Sequence, residues 1–339
     1  MASFPPARAR QNLLQLASDL LRRSWITVGV DHYLDDYQRS QWLPAPSLRE
    51  LQLAALRRLA WHCFLNVPFH ERHIGAALAP SRIERIDDVA LLPLAHSEER
   101  RRQPEAFVSR GTQEGGERFT GGPRRHTAGT RGAPQAVLVD RDALAHQTAV
   151  RLRAESWASA PPARVVAAWG RDTLRAPRPL AAAELSALGI AIRQARGAVL
   201  SAPGETLSSL LVLVEGERKA RLRAVVARGP DPNGGGAEVA ARLGIPLHRF
   251  YAAAEVGVIA ATCERGGLHV AADHLIVEIV NGKGEPIPLG EFGQIVVTDL
   301  HNYVAPYLRH ALDDHGRLLA IGCSCGRGLP LLELAEPSL

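Results

Sequence analysis

The sequence predicts a layered α/β protein with a helical N-terminal third and a strand-rich C-terminal end. Three observations carry this. Apolar residues recur at helical spacing before residue 70, short apolar runs alternate with helical stretches through the middle, and strands separated by turn signals follow residue 275.

The first helix is expected over residues 11–23, where Leu13, Leu16 and Leu20 share a face. A second is expected from Ser47. Ser47 and Glu50 fit a capping box, and Leu48, Leu51, Ala55, Leu59 and Cys63 continue at helical spacing. Residues 120–134 are rich in Gly, Pro, Thr and Arg and read as a loop. A short apolar run at 136–139 precedes a helix over 142–157. Residues 164–169 and 222–227 read as buried strands, and 205–214 and 236–243 as helices, the latter stopped by Gly244. A strand over 247–250 ends just before Tyr251. Strands at 275–280 and 294–298 flank a turn-rich segment containing Asn281 and Gly282, and 317–321 is a last strand. Segments 174–179 and 229–236, rich in Pro and Gly, read as loops.

The 339 residues suffice for one large or two ordinary domains, and 46% apolar with 22% charged residues is ordinary for a soluble globular chain. The net charge of +5 is almost all arginine, since Lys219 and Lys283 are the only lysines. The arginines alternate with acids, apart from the run Arg100, Arg101, Arg102, so there is no basic stripe and no nucleic-acid partner is expected. No run approaches the ~20 apolar residues of a membrane span. The first ten residues lack the apolar core of a secretory signal. Four cysteines do not make a disulfide framework. A reduced, cytoplasmic protein with no membrane partner is the expectation.

Chemistry could sit in four places. The small and hydroxyl residues of Thr127-Ala128-Gly129-Thr130-Arg131-Gly132-Ala133-Pro134 let backbone N–H groups approach an anion, and Arg131 adds a charge-assisted phosphate contact. Alone, this is equally an ordinary surface loop, and it is not a Walker A motif. Tyr251 and Glu255 follow a strand end, where ligands bind in open α/β sheets. There a ring can stack on a base and a carboxylate can hold Mg²⁺. The plain alternative is a core tyrosine and a solvated acid. Asp313 and Asp314 could accept hydrogen bonds from a ribose diol, or simply form a turn. Cys263 and His269, with Cys323 and Cys325, give four ligands suited to a closed, structural zinc site; the alternative is unrelated buried cysteines.

In this order, these features resemble the phenylacetate–CoA ligase family and its CapK-like branch, within the acyl-adenylate-forming (AMP-binding) superfamily. Residues 59–70, with Asn66-Val67-Pro68-Phe69, are similar to its N-V-P-F segment. Thr127–Pro134 resembles its T-S-G-T-T-G-x-P phosphate loop, and Tyr251–Glu255 its Y-G-x-T/S-E motif. Residues 267–273, 278–280, 290–293 and 297–300 follow its core pattern. Pro306–Asp314 looks like P-L-I-R-Y-x-x-G-D, and Cys323–Arg327 like C-x-C-G-R.

The resemblance implies a mixed-sheet large domain. Residues 1–110 would be its helical part, 111–260 its nucleotide-binding α/β core, and 261–339 a β-rich subdomain with zinc. It implies activation of a carboxylic acid by ATP to an acyl-adenylate, for transfer to CoA or an amine. Thr127, Gly129, Thr130 and Gly132 would cradle the phosphates, with Arg131 adding charge. Tyr251 would pack on adenine, Glu255 hold Mg²⁺, Asp314 bind ribose, and Cys263, His269, Cys323 and Cys325 hold Zn²⁺. The sequence also departs from the pattern: Ala128, Ala252 and Ala254 replace hydroxyl or glycine residues, and Arg131 replaces Thr or Ser. The family's mobile domain with its catalytic lysine is expected to be absent, because no lysine follows Lys283 before Leu339. The readings left open are an enzyme completed by a separate lysine-bearing domain or a carrier protein, a nucleotide- or partner-binding pseudoenzyme, and a different transferase reusing the cleft.

Overall fold

The computed structural model describes residues 29–77, 79–113, 125–126, 136–158, 164–167, 186, 188–190, 192, 196–214, 221–229 and 234–335. The helix expected over 11–23 and the segment 174–179 lie outside these residues.

Helices α1 (Val30–Ser40), α2 (Ala45–Asn66) and α3 (Pro68–Ala77) lead to strand β1 (Ala95–His96) and helix α4 (Ser97–Arg102). The single turn α5 (Arg110–Gln113), strands β2 (Arg125–His126) and β3 (Ala136–Val137), and helix α6 (Arg141–Ala158) follow. The middle alternates through β4 (Arg164–Ala167), β5 (Arg196–Pro203), α7 (Gly204–Val214), β6 (Arg221–Arg228), α8 (Gly235–Leu243) and β7 (Leu247–Ala253). Strands β8 (Gly257–Thr262), β9 (Leu268–Val270), β10 (Leu275–Val280), β11 (Gly293–Asp299), β12 (His310–Leu318) and β13 (Leu332–Leu334) complete the described chain.

The start of α2 corrects the sequence reading. The helix begins at Ala45 behind an extended Pro44, no side chain caps it, and Ser47 lies inside it. Pro46 sits in the first turn, where a missing N–H breaks no hydrogen bond and a fixed φ favours the helix. The prolines, and not a Ser47–Glu50 box, set the boundary.

A six-stranded sheet runs β4-β5-β6-β7-β8-β9, parallel through β7 and antiparallel thereafter. Both faces are covered, which is why β6 reads from sequence as a buried strand. Ala198, Leu200 and Ala202 pack with Leu207, Leu210 and Val239 of α7 and α8. Val199, Val226 and Phe250 face Ala149, Val150 and Ala154 of α6. Each such fully buried Leu or Phe contributes roughly 1.5–3 kcal/mol. At Gly235 a Cβ would come within 2.4 Å of the Ser208 backbone nitrogen, so α8 crosses α7 at glycine contact. Gly235→Ala is therefore expected to lower stability by about 1–3 kcal/mol in a denaturant titration; an unchanged midpoint would refute the close approach.

The second sheet is ordered β1-β12-β11-β10, with β13 on the far stretch of β12. Its helix-facing side buries Leu56, Leu59 and Cys63 of α2 against Ile276, Leu300 and Leu308. Strand β12 corrects two expectations. It starts at His310 and ends at Leu318, not over 317–321, and Asp313 and Asp314 lie within it, not in a turn. Its register with β11 jumps between Gln294↔His315 and Val296↔Ala311, leaving two extra residues on β12. This bulge turns Asp313 and Asp314 outward to solvent, as bulges do at functional rims. Gln294 Nε2 bridges the gap by donating to the Leu312 carbonyl at 2.9 Å. Among the described residues no helix is long and apolar enough to cross a membrane.

Candidate functional site

Tyr251 lies within β7, one step beyond the strand end expected from sequence, where the register with β8 shifts between Tyr251 and Ala252. Its phenol donates to Asp314 Oδ2 at 2.9 Å, joining the rim of the six-stranded sheet to the β12 bulge. Burial first, then the Asp314 carboxylate, hold the Tyr251 hydroxyl far above its ordinary range, so it remains a donor. Glu255 occupies the turn between β7 and β8 and is half-buried. Its carboxyl is raised by burial and by the charges of Asp313 and Asp314, while its own backbone N–H and Arg100 pull the other way. Tyr251, Glu255 and Asp314 thus meet at one rim although more than sixty residues separate the first from the last.

The predicted phosphate-loop residues Thr127, Gly129, Thr130, Arg131 and Gly132 lie outside the described residues. The two short strands flanking that loop are described, and they pair antiparallel, Arg125↔Val137 and His126↔Ala136.

Arg100 was not singled out from sequence. In its run of three, Arg101 and Arg102 are exposed while Arg100 is 8% exposed. Its guanidinium carbon lies over the rings of Phe107 and Tyr307, 4.4 and 4.0 Å from their centroids. The only sequence signal was the run itself.

The four expected metal ligands converge. Cys263, His269, Cys323 and Cys325 offer donor atoms all within 4.8 Å of one another. Cys263 Sγ and Cys323 Sγ are 3.7 Å apart, close to the roughly 3.8 Å edge of a tetrahedron with 2.3 Å zinc–sulfur bonds. Cys325 Sγ lies 3.2 Å from His269 Nε2. His269 Nδ1 donates to the Leu329 carbonyl at 2.9 Å, which leaves the Nε2 lone pair facing the thiols. Burial pushes the metal-free Cys263 thiol up to about 11. Cys63, the remaining cysteine, is sealed in the α2 core and takes no part.

A second cluster, invisible in the sequence because its members are far apart, comprises His146, His274 and His301. Tyr33, His146 and His301 stack with centroids 3.6 and 3.7 Å apart, and His274 lies parallel to His301 at 5.2 Å. Near-parallel rings turn faces, not in-plane lone pairs, toward one another, and Tyr37 Oη already meets Nδ1 of His146 and His274 at 2.8 and 3.3 Å. Burial holds these histidines down, to about 3, 4 and 3 for His146, His274 and His301, so they are neutral at pH 7. They form a packing stack rather than a metal centre.

No family model matches the chain. A segment of 65 residues is 40% identical to a phenylacetate–coenzyme A ligase of Thermus thermophilus, spanning 19% of this chain and 15% of that protein. An open conformation of 2-hydroxyisobutyryl-CoA ligase, solved with 2-HIB-AMP and CoA, matches with a TM-score of 0.70 and 19% identity over 87% of this chain and 76% of that one. The same ligase in its thioesterification state gives a TM-score of 0.71, covering 87% and 69% of the two chains. The chain thus shares the layered fold of an acyl-CoA ligase over most of its length, and a short segment is similar in sequence to a phenylacetate–coenzyme A ligase.

Proposed function

We propose that this chain activates a carboxylic acid: the carboxylate attacks the α-phosphorus of ATP, an acyl-adenylate forms, and pyrophosphate leaves. The supporting observation is the Tyr251–Asp314 hydrogen bond across two sheets with Glu255 beside it. Asp314, turned outward by the bulge, accepts hydrogen bonds from the ribose hydroxyls. The Tyr251 ring packs on adenine. Thr127, Gly129, Thr130 and Gly132 donate to the phosphates, and Arg131 adds charge. Glu255 would suit a hard cation: it is half-buried with the charges of Asp313 and Asp314 beside it, and burial is the first cause of its raised carboxyl. Bound there, Mg²⁺ would neutralise phosphate charge. Cys263, His269, Cys323 and Cys325 would hold a structural Zn²⁺. Onward transfer to CoA or an amine, through a separate lysine-bearing domain or a carrier protein, belongs to the same proposal.

A second reading, nucleotide binding without turnover, is favoured by Ala254 next to Glu255, where no side-chain hydroxyl is available to phosphate. Thermal shift with ATP and Mg²⁺, followed by pyrophosphate release over a panel of carboxylic acids, separates the two. Stabilisation with release supports adenylation, and stabilisation without release supports the second reading. No stabilisation removes both and favours a different transferase in the same cleft. Asp314→Ala is expected to weaken ATP binding roughly 10- to 100-fold, the range for lost charge-assisted hydrogen bonds. Unchanged affinity by calorimetry would remove Asp314 from the ribose role.

A further inference from the structure

The Arg100 guanidinium is buried and, among the described residues, has no ion-pair partner. Among the described residues no carboxylate lies within 4.0 Å of it. One nitrogen, Nη2, donates to the Pro306 carbonyl at 2.6 Å, while Nε is buried with no hydrogen bond at all. Its central carbon packs over the rings of both Phe107 and Tyr307. Among the described residues, its charge acts on Cys63, His70, Tyr307 and His310, all neutral at pH 7, and on the acid Glu255. Desolvating a guanidinium is costly unless an anion compensates, and breaking or omitting the partner is the expensive case. A guanidinium packed on two rings, with an N–H left without a partner and Glu255 the acid that feels its charge, is suited to an anionic ligand. The segment it holds, Pro306 and Tyr307, runs directly into β12, whose bulge carries Asp314.

We propose that Arg100 binds the phosphoryl group of the nucleotide at this rim. The proposal rests on the adenylation reading and assigns that site a cation supplied from α4.

The test is calorimetric titration of the whole chain with adenosine and with AMP, which differ only in the phosphoryl group. Wild type is expected to bind AMP more tightly than adenosine. Arg100→Met, similar in length and uncharged, is expected to lose roughly 10- to 100-fold in AMP affinity with adenosine binding unchanged. Arg100→Lys, which keeps a charge but not the fork, is expected to fall between the two, and it decides the matter if the methionine variant does not fold. A wild-type ratio of AMP to adenosine affinity in either folded variant overturns the proposal while leaving the nucleotide reading intact. Wild type that binds neither compound overturns both.

Discussion

Arg309→Ala is expected to destabilise the fold by roughly 3–5 kcal/mol, the cost of leaving one partner of a buried ion pair uncompensated. Arg309, just before β12, is buried, and its Nε lies 3.1 Å from Glu278 Oε1 on β10. Its Nη1 donates to the Leu92 carbonyl at 2.9 Å and its Nη2 to the Gly284 carbonyl at 2.6 Å, so one side chain ties three segments together. The residue holds a φ of 49°, with its backbone N–H donating to Thr298 Oγ1 at 3.0 Å. A non-glycine residue persists there only where surrounding contacts impose it. The sign of the pH dependence follows from Glu278, whose carboxyl is raised by burial and held down by Arg309. Without the guanidinium it rises further. A raised carboxyl in the folded state means that the folded form binds the proton more tightly, so its contribution is favourable at low pH and is lost as pH rises. The Arg309→Ala penalty should therefore be largest near pH 7 and shrink as pH falls into the carboxylate range. Urea titrations at pH 7 and pH 5 measure this; a penalty below about 1 kcal/mol at pH 7, or one independent of pH, would contradict the ion-pair account.

Cys323→Ser is expected to release bound zinc and to lower stability on the order of 4 kcal/mol, the linkage loss for a ligand present at about a thousand times its dissociation constant. The cost is concentrated where the ligands join β9 to the chain before β13, at the His269↔Leu331 bridge. Cys63→Ser should keep the metal, because Cys63 belongs to a different core. Zinc must expel the proton from Cys263, whose thiol sits at about 11 without metal, so retention should weaken as pH falls. Elemental analysis of the purified protein decides: wild type without zinc sinks the assignment, and a Cys323→Ser protein that keeps full zinc removes that ligand.

The sequence by itself determined the elements whose burial pattern is local. Helices α6, α7 and α8 and strands β6, β10 and β11 lie within a residue or two of their expected bounds, since apolar periodicity along a segment encodes the face it buries. It also singled out Cys263, His269, Cys323 and Cys325, which the fold brings together, because thiols and imidazole are identifiable by residue type wherever they fall. Tertiary structure decided the rest. Asp313 and Asp314 read as a turn because adjacent acids favour one, but the register of β11 makes them a bulge, and register belongs to the pair of strands. Arg100 stood out in sequence only as part of the run Arg100, Arg101, Arg102. It is buried by Phe107 and by Tyr307, the latter two hundred residues onward, and only packing brings them together. The imidazole stack of His146, His274 and His301 has the same origin. A chain records which side of each element avoids water; which distant side chains share that dry space follows only when the sheets close on one another.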